Sequence, residues 1–355
     1  MLNRLRSSPV IRTALLGAAL AFCGIGIATD WPQVNDALAS IGWYSVLGAL
    51  LAAMAGAGCM MLAWRAILSD LGSDLPLPAT VRVASVAQIA KYLPGAVWAF
   101  AAQVELGHDY AVPRRRSAGA VIISLAVALA TGLLLATATL PIASSHAAHR
   151  YWWIMSLAPL IALCLLPPVL RSLLDRAFAL IRSDPLERPL TGPGLLSAVA
   201  WSLAGWAFWG VHAWLLTADL TGRGLGVLLL AAGSYAIAWS AGILLVVFPG
   251  GIGARELVLV AALAPVMPRG AALLLALTSR IVTTISEVTW AGVGLVAARL
   301  TGHSRFRAGH VYRPPHVGKH RKATMPSLVG PGLAGPAAAP GAYAPGSAGQ
   351  QAGFS

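Results

Sequence analysis

Apolar side chains continue for a bilayer's depth, again and again, along most of this chain. A helix needs about 20 such residues to cross a hydrocarbon core, and runs of that kind occupy roughly 10–28, 41–63, 117–141, 152–170, 194–217, 226–248 and 270–298. The pattern predicts seven spans. Two further apolar stretches, about 83–107 and 250–267, are interrupted by Lys91-Tyr92-Leu93-Pro94-Gly95 and by Pro249-Gly250-Gly251-Ile252-Gly253-Ala254-Arg255-Glu256. Proline removes a backbone donor and glycine admits positive φ, so at each break one helix ends and another begins. The fold class expected is all-α: a polytopic helical membrane protein of seven to eight spans with one or two re-entrant broken-helix elements.

Composition agrees, since 57% of the 355 residues are hydrophobic and only 10% charged, too few charges to cover a soluble surface. The formal charge of +13 would suit nucleic acid if it were spread over a folded face. It is not. Residues 299–355 carry Arg299, Arg305, Arg307, Arg313, Lys319, Arg321 and Lys322 without one acid, and from Met325 the chain turns to Gly, Ala, Pro, Ser and Gln. Two parts follow: a transmembrane domain over 1–298 and a basic, then disordered, cytoplasmic tail over 299–355. The basic excess points to an anionic membrane surface and away from nucleic acid.

Lys and Arg also set the orientation. Arg4, Arg6 and Arg12 precede the first run, Arg65 and Arg82 follow the second, Arg114, Arg115 and Arg116 precede the third, and Arg171, Arg176, Arg182 and Arg188 follow the fourth. The alternate loops hold almost none, which predicts a multi-pass protein of the cytoplasmic membrane with its amino terminus inside. With Arg82 and the 114–116 triplet on one side, the stretch 83–107 must enter and return. The second broken stretch, at about 253–267, is expected to make a short eighth crossing that brings the tail back inside; a second re-entrant loop is the alternative. A signal peptide ending at Ala37-Leu38-Ala39 fits less well, because that triplet lies far beyond the first apolar run.

Three cysteines, Cys23, Cys59 and Cys164, sit singly in apolar runs, and His212 is a lone histidine inside a span. No metal, cofactor or disulfide framework is expected from such spacing, nor are there nucleophile-base pairs for catalysis. Trp31, Trp43, Trp152, Trp153 and Trp214 read as an interfacial belt.

Charged groups at bilayer depth need a partner or a water-filled cavity, and they collect at the two breaks. Gln88, Lys91 and Tyr92 stand just before Pro94 and Gly95; a helix start beside a lysine is a seat for a phosphate, although a tight turn with Lys91 snorkelling outward reads equally well. Gln103 and Glu105 follow. At the second break Gly250, Gly251 and Gly253 let the backbone approach a ligand closely, and Arg255 stands in a first helical turn beside Glu256, where it opposes the dipole. A glycine-rich packing site is the plainer reading there. In the last span Arg280 and Glu287, two turns apart, share one face, and Arg255 with Glu287 and Glu105 with Arg280 are the expected cross-helix pairs.

Taken together, "QIAKYLPGAVW", "FPGGIGARELVL" and the later "SRIVTTISE" resemble the lysylphosphatidylglycerol synthase transmembrane-region family, the flippase-like domain of the multiple peptide resistance proteins, over roughly 10–298. The resemblance implies re-entrant elements around a lipid-headgroup cavity and a role in moving aminoacylated or glycosylated lipids across the bilayer. The aminoacyl transferase domain of the bifunctional members has no counterpart in this sequence. The expectation is therefore a non-enzymatic, flippase-like protein that binds and translocates a phospholipid or polyprenyl-linked headgroup. Its expected partners are an anionic or glycosylated lipid and the membrane. The alternative is a non-catalytic membrane partner of a separate glycosyltransferase or aminoacyltransferase.

Overall fold

Small and hydroxylated side chains point inward along the long helices, and large aliphatic ones point out. In the last helix Ala272, Ser279, Thr283, Ser286 and Gly294 are buried while Ile281, Ile285, Val288 and Val296 are exposed. A soluble core would show the reverse. Helices in lipid gain nothing by hiding aliphatic surface from one another, so small residues that permit close approach take the contacts. Buried hydroxyls that lack water bond within their own helix instead: Thr131, Thr217, Ser240 and Thr283 each donate to the carbonyl four residues back. The chain is a membrane protein.

The computed structural model describes residues 28–92, 98–143, 190–244, 253–264 and 266–300, with six isolated positions between 159 and 176. Among these residues the order is α1 (Trp31–Ser40), α2 (Trp43–Asp70), α3 (Leu77–Ile89) continued by a 3-10 turn (Ala90–Tyr92), α4 (Trp98–His108), α5 (Arg114–Ala143), α6 (Gly192–Thr221), α7 (Leu225–Leu244), α8 (Ala254–Leu263) and α9 (Arg269–Leu300). Five helices, α2, α5, α6, α7 and α9, are long and apolar enough to cross a membrane. They match five of the seven expected spans. The runs at 10–28 and 152–170 fall outside the described residues or in their isolated positions, as do Cys23, Cys164, Trp152 and Trp153 and the tail beyond 300, so the count of seven to eight is not reached here.

Both broken stretches consist of short helices. The 13 residues of α3, 11 of α4 and 10 of α8 reach roughly 15–20 Å, against a hydrocarbon core of about 30 Å. Helices α3 and α4 pack on each other, as a chain that enters and returns requires. Helix α8 is too short to be the expected eighth crossing by itself; its last helical residue is Leu263, and Ala264, directly before Pro265, caps it with its N–H on the Val260 carbonyl.

Helices α2 and α6 form the closest long pair, antiparallel and pinned at both ends by aspartates. At one end the Asp70 carboxylate accepts the Thr191 N–H and hydroxyl, each at 2.6 Å. At the other, Asp219 accepts the Gly42 N–H at 3.0 Å. Between them the helices cross where glycine faces glycine: a Cβ on Gly205 would lie 3.2 Å from the Gly56 carbonyl, and one on Gly56 would lie 2.5 Å from the Trp209 ring. That ring is held among Trp206, Tyr235 and Trp239 and has little room to give. Gly56→Ala should therefore cost about 1–3 kcal/mol, read as a lower midpoint for thermal loss of monodisperse elution. Gly292→Ala, where an added Cβ meets nothing within 4 Å, is the matched control and should be neutral.

Two buried clusters result. One joins α6, α7, α8 and α9 around Trp206, Leu216, Tyr235, Leu259 and Leu275; the other joins the end of α2 to α3, α5 and the start of α6 around Trp64, Ile67, Leu68, Val83 and Ile123. Trp214 packs on the first cluster and so departs from the interfacial belt, whereas Trp31 and Trp43 are exposed, as a belt demands.

Candidate functional site

A cavity of about 190 Å³ lies where the two clusters meet, and its walls come from α2 through α9. Lys91 reaches it from the turn after α3, Gln88 from α3 itself, Gln103 from α4, Arg255 from α8 and Glu287 from α9. Elements some 200 residues apart in sequence thus bring one ammonium, one guanidinium, one carboxylate and two amides to a single space. Of the residues singled out in the sequence, Gln88, Lys91, Gln103, Arg255 and Glu287 line it. The side chain of Tyr92, and Pro94, Gly95, Gly250 and Gly251, lie outside the described residues.

Lys91 and Glu287 form an ion pair, hydrogen-bonded from Nζ to Oε1, with side chains 23% and 20% exposed. Glu287 was expected to meet Arg255, and here it meets Lys91. The reason is depth: Lys91 ends the short α3 segment beside α9, against which α3 packs. Gly294 makes that packing close, since a Cβ there would lie 2.8 Å from the Arg82 Cα. Arg255 instead lays its guanidinium over the Tyr235 ring, with Cζ 4.7 Å from the centroid, a cation–π contact that compensates the charge without an acid. Arg280 is not a wall residue, yet its charge and that of Arg255 both act on Lys91. Among the described wall residues two cations face one carboxylate, which leaves the cavity positively biased.

Two expected site residues have other duties. Glu256 is 5% exposed and turns its Oε2 back to accept the Gly253 N–H at 2.7 Å. It is the returning arm of a capping box; the forward arm is missing because glycine has no side chain. Gly253 itself sits at φ 91°, which only glycine adopts without strain. A carboxylate in the first turn also offsets Arg255 against the helix dipole. Glu105, expected to pair with Arg280, is exposed and takes Arg114 in a two-pronged bond, Nε to Oε2 at 3.0 Å and Nη2 to Oε1 at 2.8 Å. The Arg114 guanidinium holds that carboxyl below the usual glutamate range.

Several wall residues were not foreseen. Trp209, Tyr235, Trp239 and Trp290 form an aromatic side. The signal was present in helical spacing, Trp206 to Trp209 on α6 and Tyr235 to Trp239 on α7, which stacks rings on one face. Trp206 and Trp239 meet edge to face at 5.3 Å. His212, read as a lone residue, is wholly buried and bridges three helices: Nδ1 lies 3.0 Å from the Ala49 carbonyl and Nε2 2.9 Å from the Ser279 hydroxyl. A carbonyl can only accept, so Nδ1 carries the proton and donates. Trp64 Nε1 and Ser286 Oγ, on two further wall residues, are buried without a hydrogen-bond partner among the described residues. Such groups cost about 1–3 kcal/mol each if left unmet.

Set beside known proteins, residues 12–291 match the family model described as "Lysylphosphatidylglycerol synthase TM region". That is most of the chain, and the chain belongs to this family. No curated protein matches it.

Proposed function

We propose that this member of the lysylphosphatidylglycerol synthase transmembrane-region family binds the charged headgroup of a lipid in the cavity and carries it across the bilayer. One observation supports the reading above the others: Lys91, Arg255 and Glu287, from three separate elements, converge on one polar space inside an otherwise apolar bundle. Charges at that depth are costly and are kept where a charged species passes or rests. With two cations to one carboxylate on the described walls, the occupant is anionic, a phosphate-bearing phospholipid or polyprenyl-linked headgroup. Lys91 and Arg255 contact the phosphate. Glu287 compensates Lys91 while the headgroup is away, and Arg280 orients the pair.

The Lys and Arg distribution supports an amino terminus on the cytoplasmic side of the cytoplasmic membrane, with α3 and α4 entering and returning. Since no reacting pair is needed for movement, the role is transport, without a chemical step. The test is reconstitution. Purified protein in vesicles of phosphatidylcholine and phosphatidylglycerol should expose a headgroup-labelled inner-leaflet phosphatidylglycerol to an impermeant reductant. Binding of the label without any exposure of the inner leaflet would replace transport by the role of a lipid-presenting partner to a separate transferase.

A further inference from the structure

The cavity shares a wall with a second hollow. Between α4 and α5 lies a groove of about 490 Å³ whose lining includes Ala101, Val104, Ala118 and Ile122. Phe100, Val121 and Leu125 line both spaces. The groove is apolar, and Glu105, its one charged wall residue among those described, is already gripped by Arg114. Ala101 is exposed and Ile122 is 36% exposed, so the groove opens on the outer face of the bundle.

We propose that this groove holds a hydrocarbon chain of the lipid whose headgroup occupies the cavity, with the Phe100, Val121 and Leu125 wall at the junction between the two. The inference rests on the headgroup reading. Its own ground is adjacency: a charged pocket and an apolar trough that share the Phe100, Val121 and Leu125 wall match the two halves of one amphiphile. In lipid a chain gains little by exchanging tails for protein walls, which are equally apolar. The groove therefore contributes position. It fixes the headgroup's angle of entry and makes the α4–α5 face the side from which lipid arrives.

The test uses the full chain in vesicles of phosphatidylcholine and phosphatidylglycerol, with a trace of phosphatidylglycerol carrying a diazirine midway along one acyl chain. After illumination, adducts mapped by mass spectrometry should concentrate several-fold on residues 98–125 over the rest of the bundle. Ala118→Trp, which fills the groove, should cut those adducts several-fold and slow movement of headgroup-labelled lipid to a similar degree. If it elutes aggregated, Ala101→Trp at the open edge serves instead. Ala207→Trp, at an exposed position of α6, should change neither. Adducts spread evenly around the bundle, or a filled groove with undiminished movement, would overturn the proposal while leaving the headgroup site standing. Full movement in both Lys91→Ala and Arg255→Ala would instead remove the headgroup reading, and this inference with it.

Discussion

Arg255→Ala is expected to abolish lipid movement in proteoliposomes while the protein still elutes as a single species. The guanidinium lies on the Tyr235 ring at the cavity wall, and no carboxylate among the described residues is ion-paired with it, so its loss removes an anion contact with little structural penalty. The cation–π contact itself is worth about 0.5–2 kcal/mol, a modest share of the stability of a bundle this size. Arg255→Lys should recover only part of the rate, because a point charge cannot reproduce the two-pronged hold of a planar fork on phosphate. Lys91→Ala should abolish movement as well, but it leaves Glu287 without its ion-pair partner. The fairer variant is therefore Lys91→Ala with Glu287→Gln, folded and inactive. Full activity in Arg255→Ala and in that double variant would make these residues structural.

Glu287→Ala should be the most destabilising of the site substitutions, by about 1–3 kcal/mol, since removing one member of a half-buried charged pair leaves the other without that contact. Lys91 would then sit in the bundle with the Arg255 and Arg280 charges acting on it and without the Glu287 carboxylate. Lys91→Met with Glu287→Met should be far more stable than the sum of the two single changes, because the apolar double replacement strands nothing. Thermal unfolding followed across this double-mutant cycle measures the coupling. Additive effects would mean that the pair is held apart in the working protein.

Much of this was legible beforehand, and the limits have identifiable causes. The apolar runs at 41–63, 117–141, 194–217, 226–248 and 270–298 lie within a few residues of α2, α5, α6, α7 and α9, because burial in lipid depends on composition over a long window. The short helices α3, α4 and α8 that flank the two Pro-Gly elements were legible because proline and glycine act locally, while most of each element lies outside the described residues. That Lys91, Arg255 and Glu287 would meet followed from the cost of placing charge in lipid, which forces such groups inward together. Which of them would pair did not follow: the seven-residue spacing of Arg280 and Glu287 fixes a helix face but not the neighbour opposite. Glu105 found Arg114 nine residues on, across the turn from α4 to α5, a pairing that local proximity favoured over the distant Arg280. Glu256 could have been read correctly, since a carboxylate three residues after a helix-starting glycine is half of a capping box.

The short helices also bear on how the site can be probed. Helix α8 begins beside the cavity, so the first N–H groups of its opening turn have no carbonyl partner within their own helix. Glu256 satisfies one of these, at Gly253. The remaining polarity is written in the course of the main chain, and every residue type except proline supplies it equally. An alanine scan would pass over it without a signal, and sequence drift in relatives would preserve it without leaving a motif.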